Sequence, residues 1–403
     1  MKDYFYLSFN NLRRRKLRSW LTMLGIFIGI AAVVALISLG QGMQAAIKSE
    51  FESFGADKIT IQPRGTMGPP GSGTSQSTQL TSKDLEVIKR VDGVKGAAGL
   101  ILKTGRIEYK DEVEFNFIDG ISQDSEEKRI VSFYDIGQGR DLKSGDDKKV
   151  VVGISYIEGK VFNEKLRLGD KISIEGQEFE IVGVLAKIGN PYDDSAIIMT
   201  KDAIKKLYNI EDEESMIYAQ VDDVDEIDRV KVDIGHDLRR ERGEKEGQET
   251  FQVTTSAQML ESFSNIFGIV QAVLVGIAGI SLVVGGIGIA NTMYTSVLER
   301  TKEIGTMKAV GAKNSDILLM FLIESGLLGL IGGVIGVAIG IGLSKGAEYF
   351  ASIALGTNLL QASTSISLIV EALVFSFVIG AASGVLPAYQ ASKLKPVDAL
   401  RYE

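Results

Sequence analysis

The sequence predicts a multi-domain membrane protein, with four transmembrane α-helices and a large α+β extracytoplasmic domain inserted between the first and second of them. The apolar residues of the 403-residue chain are concentrated in four long runs that carry almost no charge. About 20 consecutive apolar residues are enough to cross a bilayer. The segment between the first two runs is highly charged and combines strand-like with helix-like patterns, which is typical of a water-exposed folded domain.

The first apolar run extends from Ser19 to Ile47 without a charged residue and follows a cluster of arginines. A cleaved signal peptide has a shorter apolar core, of about 7–15 residues, and a small-residue cleavage site. The core from Trp20 to Leu39 is longer, and the following Ser38–Gly42 segment is a poor cleavage site. We therefore predict an uncleaved first span with the start of a stalk over residues 21–46. Residues 1–20 are predicted to form a cytoplasmic amphipathic helix that lies at the membrane interface.

The other three spans are predicted at residues 263–298, 317–344 and 366–390. The first of these, which includes a stalk, has no charge, and the second carries only Glu324. A fifth span across Tyr349 to Val370 is rejected, because it would bring many polar side chains into hydrocarbon. Residues 345–365 are instead predicted to be a short outer loop.

Lysine and arginine fix the predicted orientation, because they are enriched in short cytoplasmic flanks. Six basic residues lie in 1–20, four in the connector 299–316 and three in the tail 391–403, whereas the outer loop has only Lys345. Both termini and the connector are therefore predicted to be cytoplasmic, and residues 43–262 to lie outside the cell membrane. Residues 43–262 hold 30 Lys plus Arg and 43 Asp plus Glu, a net charge of −13. This charge argues against nucleic acid or anionic lipid as the ligand of that face.

The outer domain is predicted to cover residues 47–262. Met43, Ile47 and Phe51 have helical spacing, so the first helix is expected to continue beyond the membrane as a stalk. Alternating apolar residues and turn signals predict an α+β domain of one or two subdomains, with a hairpin turn at Glu175–Gly176. The predicted strands cover 58–62, 150–153, 171–176, 179–185 and 216–221, and the predicted helices 80–89, 201–208 and 224–242.

Three motifs have some features of catalytic or metal sites, but a structural interpretation is favoured for each. The glycine loop 68–74 lacks the lysine of a phosphate-binding loop and is interpreted as a linker. His236, the single histidine, is interpreted as a surface residue, and Asp193–Asp194 as a turn rather than a calcium site. The chain has no cysteine, which excludes disulfides and thiolate zinc sites. We therefore predict no catalytic, cofactor or metal site in this chain.

Small and acidic residues within the spans predict helix contacts. Small residues spaced by four let membrane helices approach closely, within or between subunits. An ionisable group in a span is costly and is expected to be paired. We expect Glu324 to pair with a basic residue at the cytoplasmic interface, and Glu371 to lie at the outer mouth of the last span. The glycines with the packing spacing are Gly25, Gly29, Gly332, Gly336 and Gly340.

The connector between the second and third spans has an unusual pattern. Ile304, Met307 and Val310 have helical spacing, and Arg300 and Lys308 lie among them. A polar turn would be enough to join two spans. The pattern instead predicts an exposed apolar ridge with charged flanks, which is typical of a contact with another protein.

The connector and its setting resemble the MacB/FtsX-like family of ABC transporter permeases. The segments 151–162 and 168–172 are similar to the periplasmic core domain of that family, and the tail 387–400 is similar to its ending. The resemblance implies a separate ABC ATPase subunit that holds ATP and magnesium, and a second permease chain, as in a homodimer. It also implies that ATPase coupling involves Glu299, Arg300, Glu303, Ile304, Met307, Lys308, Val310 and Gly311.

The resemblance implies a non-catalytic permease subunit that couples ATP hydrolysis to a conformational change of the outer domain, for export or efflux. A membrane-fusion protein or another extracytoplasmic protein would then be a further partner. The alternative is an FtsX-like signalling permease that regulates a cell-envelope hydrolase. A third class, a membrane-anchored enzyme, lacks a catalytic constellation in the outer domain. The sequence leaves export and signalling open.

Overall fold

The computed structural model describes residues 16–64, 79–131, 134–354 and 360–400. Most of the predicted interfacial helix and the glycine loop 68–74 lie outside these residues. The chain divides into a membrane unit, formed by residues 1–46, 265–352 and 360–403, and an outer unit, formed by residues 47–264 and 353–359.

The helices and strands are numbered in chain order. The helices are α1 (Lys16–Phe54), α2 (Ser82–Lys89), α3 (Ser125–Val131), α4 (Ile154–Glu158), α5 (Pro191–Asp194), α6 (Lys201–Tyr208), α7 (Ile227–Arg242), α8 (Ser256–Glu299), α9 (Thr301–Ala309), α10 (Asn314–Ala354), α11 (Ile366–Lys393) and α12 (Pro396–Leu400). The strands are β1 (Lys58–Pro63), β2 (Val94–Tyr109), β3 (Glu112–Ile121), β4 (Ile136–Gly139), β5 (Lys149–Val152), β6 (Lys171–Ile174), β7 (Gln177–Leu185), β8 (Ile197–Thr200), β9 (Met216–Val221) and β10 (Phe251–Thr255).

Four of these helices, α1, α8, α10 and α11, are long and apolar enough to cross a membrane. This confirms the predicted number and order of spans. Helix α1 continues to Phe54, as the stalk prediction requires. The predicted start of the outer loop at residue 345 is wrong, because α10 continues to Ala354. Hydropathy marks where apolar residues end, but helix-compatible residues such as Lys345 and Glu348, whose side chains pair at 2.7 Å, extend the helix further.

Glycines bring the membrane helices into backbone contact. A Cβ atom on Gly25 of α1 would lie 2.6 Å from the Cα atom of Gly285 in α8. A Cβ on Gly336 of α10 would lie 2.9 Å from the carbonyl oxygen of Phe27 in α1. Side chains larger than hydrogen do not fit at such distances, so these glycines set the helix spacing. Gly29 and Gly340 make similar contacts with Leu282 of α8 and Val34 of α1.

The contact between α10 and α11 uses glycines that the four-residue pattern did not identify. A Cβ on Gly329 would lie 2.3 Å from the carbonyl oxygen of Ser376, and one on Gly333 would lie 2.0 Å from the Oγ atom of the same serine. Gly380 of α11 faces Gly329. Gly332, which the pattern selected, is buried. Gly336 and Gly340 contact α1, whereas Gly329 and Gly333 contact α11. The four-residue pattern therefore identified one packing face of α10 and missed the other.

The outer unit is built on a ten-stranded sheet with the order β10-β1-β9-β2-β3-β8-β5-β7-β4, in which β6 pairs with β2 and β7. Helices α2 and α7 cover the β1–β9 part around a core that includes Ile59, Ile217 and Ile234. A second core around Tyr156 and Phe179 fills the β3–β8–β5–β7 part. The long strand β2 contributes to both parts, which fits the predicted α+β domain of up to two subdomains.

The two long helices that reach the outer unit are joined to neighbouring strands. Helix α1 ends at Phe54 shortly before β1, and α8 begins at Ser256 directly after β10. Strands β1 and β10 pair antiparallel, with Ile59 opposite Thr255. The Ser256 hydroxyl donates to the carbonyl oxygens of Gly55 and Lys58, both at 3.2 Å. The stalk ends are therefore fixed to each other within the sheet.

The predicted strands β1, β5, β6, β7 and β9 are confirmed, as are helices α2 and α6. The hairpin turn at Glu175–Gly176 is also confirmed, since both residues have positive φ values, 47° and 77°. The β2–β3 hairpin was not predicted. Its strands contain Gly99, Gly105 and Gly120, where a Cβ would collide with side chains of neighbouring elements. These glycines interrupt the alternation from which strands are recognised.

Candidate functional site at the connector

The connector consists of the short helix α9 and the turns on both sides of it. Helix α8 ends at Glu299, Arg300 forms the junction, and α9 begins at Thr301. The Thr301 hydroxyl donates to the carbonyl oxygens of Val297 and Leu298, at 3.0 and 2.8 Å. These bonds satisfy carbonyl groups that the end of α8 would otherwise leave without a partner. The junction is therefore a defined corner.

Arg300 bonds this corner to the third span, α10. Its Nη1 atom lies 3.0 Å from the Oε2 atom of Glu324 in α10, and its Nε atom lies 2.9 Å from Oε2 of Glu303. The guanidinium carbon also lies 5.6 Å from the centre of the buried Phe321 ring, within the range of a cation–π contact. The side chains of Arg300 and Glu324 are only 21% and 11% exposed. The expectation that Glu324 pairs with a basic residue is therefore confirmed.

Lys308 ties the other end of α9 to the last span. Its ammonium group donates to the carbonyl oxygens of Ser392 and Leu394, at 2.5 and 2.8 Å. These carbonyls belong to the end of α11, where a cation is favoured by the helix dipole. Partial burial and the charge of Lys393 lower the pKa of Lys308. Arg300 and Lys308 together attach α9 to both α10 and α11.

The predicted apolar ridge is wrong for two of its three members. Ile304 is fully buried, and Met307 is partly buried against the same core, which α9 forms with the ends of the spans. Val310 is 86% exposed. Ile304 and Met307 lie within α9, whereas Val310 follows its last residue, and the face of α9 that carries Ile304 packs against the ends of the spans. Val310 is therefore the residue of the predicted ridge that is exposed.

The other predicted connector residues lie before and after the exposed Val310. Gly311 has a φ of 109°, a left-handed conformation that favours glycine, and it begins the turn into α10. Glu299 is exposed, and the Glu303 side chain is 66% exposed although it pairs with Arg300. The described part of the connector therefore presents Val310 and Gly311 between charged residues.

The predicted polar groups outside the connector have structural roles. Glu371 lies in the second turn of α11, is exposed, and accepts a hydrogen bond of 2.6 Å from the Ser367 hydroxyl. Asp194 is buried at the end of α5, and its carboxylate accepts bonds from the backbone N–H groups of Ile188 and Gly189. These bonds support the turn interpretation. His236 is exposed, with Nδ1 3.2 Å from Asp237.

Two further surfaces were not found from the sequence. On β3 the exposed Val113 and Phe115 precede Phe117, whose ring centre lies 5.8 Å from that of Tyr192. Next to them, burial and the charge of Asp193 raise the pKa of Asp119 to about 7. The second surface is a groove of about 450 Å³ between α8 and α11, lined by apolar residues and Ser383. Finding either required the long-range pairing of the strands or the packing of the helices.

Comparison with known families covers both units. The model of the MacB-like periplasmic core domain matches residues 19–236, and the model of the FtsX-like permease C-terminal domain matches residues 275–396. The second match contains the whole connector. The first match covers most of the outer unit.

Similar proteins extend over the full chain. An ABC transporter permease of Methanocaldococcus jannaschii is 38% identical over 100% of this chain and 98% of its own length. The ABC transporter permease YknZ of Bacillus subtilis is 30% identical over 98% of both chains. The macrolide export ATP-binding/permease protein MacB of Chlorobium luteolum is 33% identical over 98% of this chain. This chain spans 59% of that MacB protein.

Proposed function

Because this chain belongs to the MacB/FtsX-like family of ABC transporter permeases, we propose that it couples ATP hydrolysis by a separate ATPase subunit to a conformational change of the outer domain. The direction of transport that we propose is export. The connector would lie on the cytoplasmic side, as its basic residues favour. A second copy of this chain would complete the permease, and ATP and magnesium would be held by the ATPase.

The observation that carries this proposal is the attachment of α9 to two spans at once. Arg300 joins it to Glu324 of α10, and Lys308 joins it to the end of α11. While these bonds are intact, a movement of α9 is transmitted to both spans. Helix α8, which leads into the connector, also begins directly after strand β10 of the outer unit. A displacement at Val310 would therefore have a continuous covalent path to the outer sheet.

The second candidate is a signalling permease that regulates a cell-envelope hydrolase. The glycine contacts among α1, α8, α10 and α11 favour it, because they leave the described bundle closely packed. The buried serines of the described spans, such as Ser376 and Ser344, donate to carbonyls of their own helices. Both candidates use a movement of the outer domain, and signalling in addition needs no path for a substrate between these helices.

The test is reconstitution of the full chain in lipid nanodiscs with the ABC ATPase encoded by the neighbouring gene. We expect the permease to change the rate of ATP hydrolysis, and Val310→Glu to remove that change without lowering the melting temperature of the permease. Val232→Glu, at an exposed valine of the outer unit, is the matched control. Hydrolysis that is unaffected by the wild-type permease would contradict the proposal. A nearby gene for an export partner favours export, and one for a secreted hydrolase favours signalling.

A further inference from the structure

One edge of strand β3 has no neighbouring strand over residues 112–117. Strand β3 pairs with β2 along residues 112–120, but its pairing with β8 on the other edge is confined to residues 118–121. Among the described strands, none pairs with that edge before residue 118. An unpaired edge presents backbone N–H and C=O groups that can bond to a further strand. Residues 112–117, here called the open edge, therefore offer backbone groups to one more strand.

One face of the open edge is apolar and exposed. Val113, Phe115 and Phe117 share this face, because alternate residues of a strand point to the same side of a sheet. Val113 and Phe115 are 40% and 65% exposed, and the Phe117 ring lies beside the exposed ring of Tyr192. Proteins normally protect a sheet edge with charges, proline or a covering segment, because an exposed apolar edge binds other chains. The apolar face is therefore suited to contact with another segment.

The opposite face of the open edge is acidic. Glu112 and Glu114 lie on it, and Glu114 is exposed. The backbone N–H and the side-chain amide of Asn163 each donate to the Glu112 carboxylate, both at 2.9 Å. These two bonds hold the pKa of Glu112 below its ordinary value. Glu112 therefore remains ionised, and the open edge alternates between negative and apolar side chains.

This alternation selects the chemistry of a strand that could bind there. A second copy of this chain, paired edge to edge, would place its glutamates beside glutamates or beside apolar side chains, depending on which way its sheet faces. Like charges on neighbouring strands are destabilising. A strand that alternates apolar with basic residues would instead place its apolar side chains against Phe115 and its basic side chains against Glu112 and Glu114. Both kinds of cross-strand pair are favourable.

We infer that the open edge binds an extended segment of an extracytoplasmic protein, in which lysine or arginine alternates with apolar residues. Main-chain hydrogen bonds would add this segment to the sheet as a further strand, and the alternating side chains would give specificity. The open edge lies wholly in the outer unit. Binding at this site therefore does not depend on the coupling to an ATPase proposed above.

The first experiment measures peptide binding to the full chain in phosphatidylcholine nanodiscs. The probe is a fluorescent peptide of about eight residues, within the usual length of a strand, that alternates lysine and valine. One control peptide alternates glutamate and valine. The other is the lysine–valine peptide with methylated backbone nitrogens, which cannot donate hydrogen bonds. We expect only the unmethylated lysine–valine peptide to bind. No binding of this peptide, or equal binding of the methylated one, would overturn the inference.

Variants of the chain distinguish the open edge from the general negative charge of the outer unit. We expect Phe115→Ser and Glu114→Lys each to weaken binding of the lysine–valine peptide at least tenfold. Glu114→Lys should also increase binding of the glutamate–valine peptide, which a loss of folding would not do. Val232→Ser and Glu246→Lys, at exposed residues elsewhere in the outer unit, should change binding less than twofold. Equal losses in these controls would overturn the inference.

A single introduced cysteine tests whether a second copy occupies the site instead. The chain has no cysteine, so Phe115→Cys carries the only thiol. We expect the lysine–valine peptide to slow the reaction of this thiol with a maleimide. A disulfide between two copies, formed in the absence of peptide, would assign the open edge to a contact between permease chains and overturn the inference.

Discussion

The middle of the membrane unit and its connector end are held together in different ways. In the middle, backbones touch at glycines, as at Gly25 with Gly285 and Gly329 with Gly380. At the connector end, charged side chains make individual bonds, from Arg300 to Glu324 and from Lys308 to the end of α11. Backbone contacts at glycines are lost only when the two helices separate. Polar bonds at a helix end can be broken one at a time, and this end is where a partner could move the spans.

The largest expected loss of stability comes from a substitution in the middle of the membrane unit. Gly329→Leu would place a side chain within the contact with Ser376 and Gly380, whereas a Cβ atom at Gly342 on the same helix would meet no neighbour within 4 Å, so Gly342→Leu is the control. We expect Gly329→Leu to cost about 3 kcal/mol, the upper part of the usual range for overpacking. Its melting temperature in detergent should fall by roughly 5–10 °C. Equal melting temperatures for the two variants would show that backbone contact does not hold α10 to α11.

Breaking the ion pair at the connector has a smaller expected effect. Arg300→Met leaves the Glu324 carboxylate without its Arg300 partner in a site that is only partly exposed. Removing one partner of a buried pair costs about 3–5 kcal/mol, and we expect about 2 kcal/mol here because the site retains some solvent. The double variant Arg300→Met/Glu324→Met should recover most of this loss. Additive losses in the double-mutant cycle would mean that the two side chains do not interact.

The smallest expected effect is at the exposed side of the same pair. Glu303→Gln removes the second carboxylate that bonds Arg300, but its side chain is 66% exposed. Exposed ion pairs contribute about 0–1 kcal/mol, so we expect a change in unfolding free energy below about 0.5 kcal/mol. Urea unfolding at low and high salt measures it. A loss as large as that of Arg300→Met would show that Glu303, rather than Glu324, fixes the corner.

Features that depend on the types of consecutive residues could be predicted from the sequence. Four uncharged apolar runs predict four spans, and the confirmed strand β9 is a short apolar run that is almost completely buried. The cost of an acid in a span correctly indicated that Glu324 is paired. Its partner Arg300 lies 24 residues away, and nothing local distinguishes it from the other connector cations.

Features that depend on packing between distant segments could not be predicted. Ile304 and Val310 both fit the helical pattern of the connector, but Ile304 packs into the core at the ends of the spans, whereas Val310 follows the last residue of α9 and is 86% exposed. In the same way, Gly332 fits the four-residue spacing, but α11 is contacted by Gly329 and Gly333. Strand β2 was not predicted, because Gly99 and Gly105 interrupt its apolar–polar alternation. A Cβ atom at either position would collide with side chains of neighbouring elements. Each of these differences comes from a neighbour that is remote in sequence.

We propose that ATP-driven movement enters at the connector and is used in the outer unit. The most direct measurement is amide hydrogen exchange of the reconstituted complex, with and without ATP, over β1 and β10, the paired strands next to the stalk ends. We expect ATP to change exchange in these strands in the wild type, and Val310→Glu to abolish the change while the fold is retained. Unchanged exchange in the wild type during active hydrolysis, or an equal response in Val310→Glu, would show that the connector does not drive movement of the outer unit.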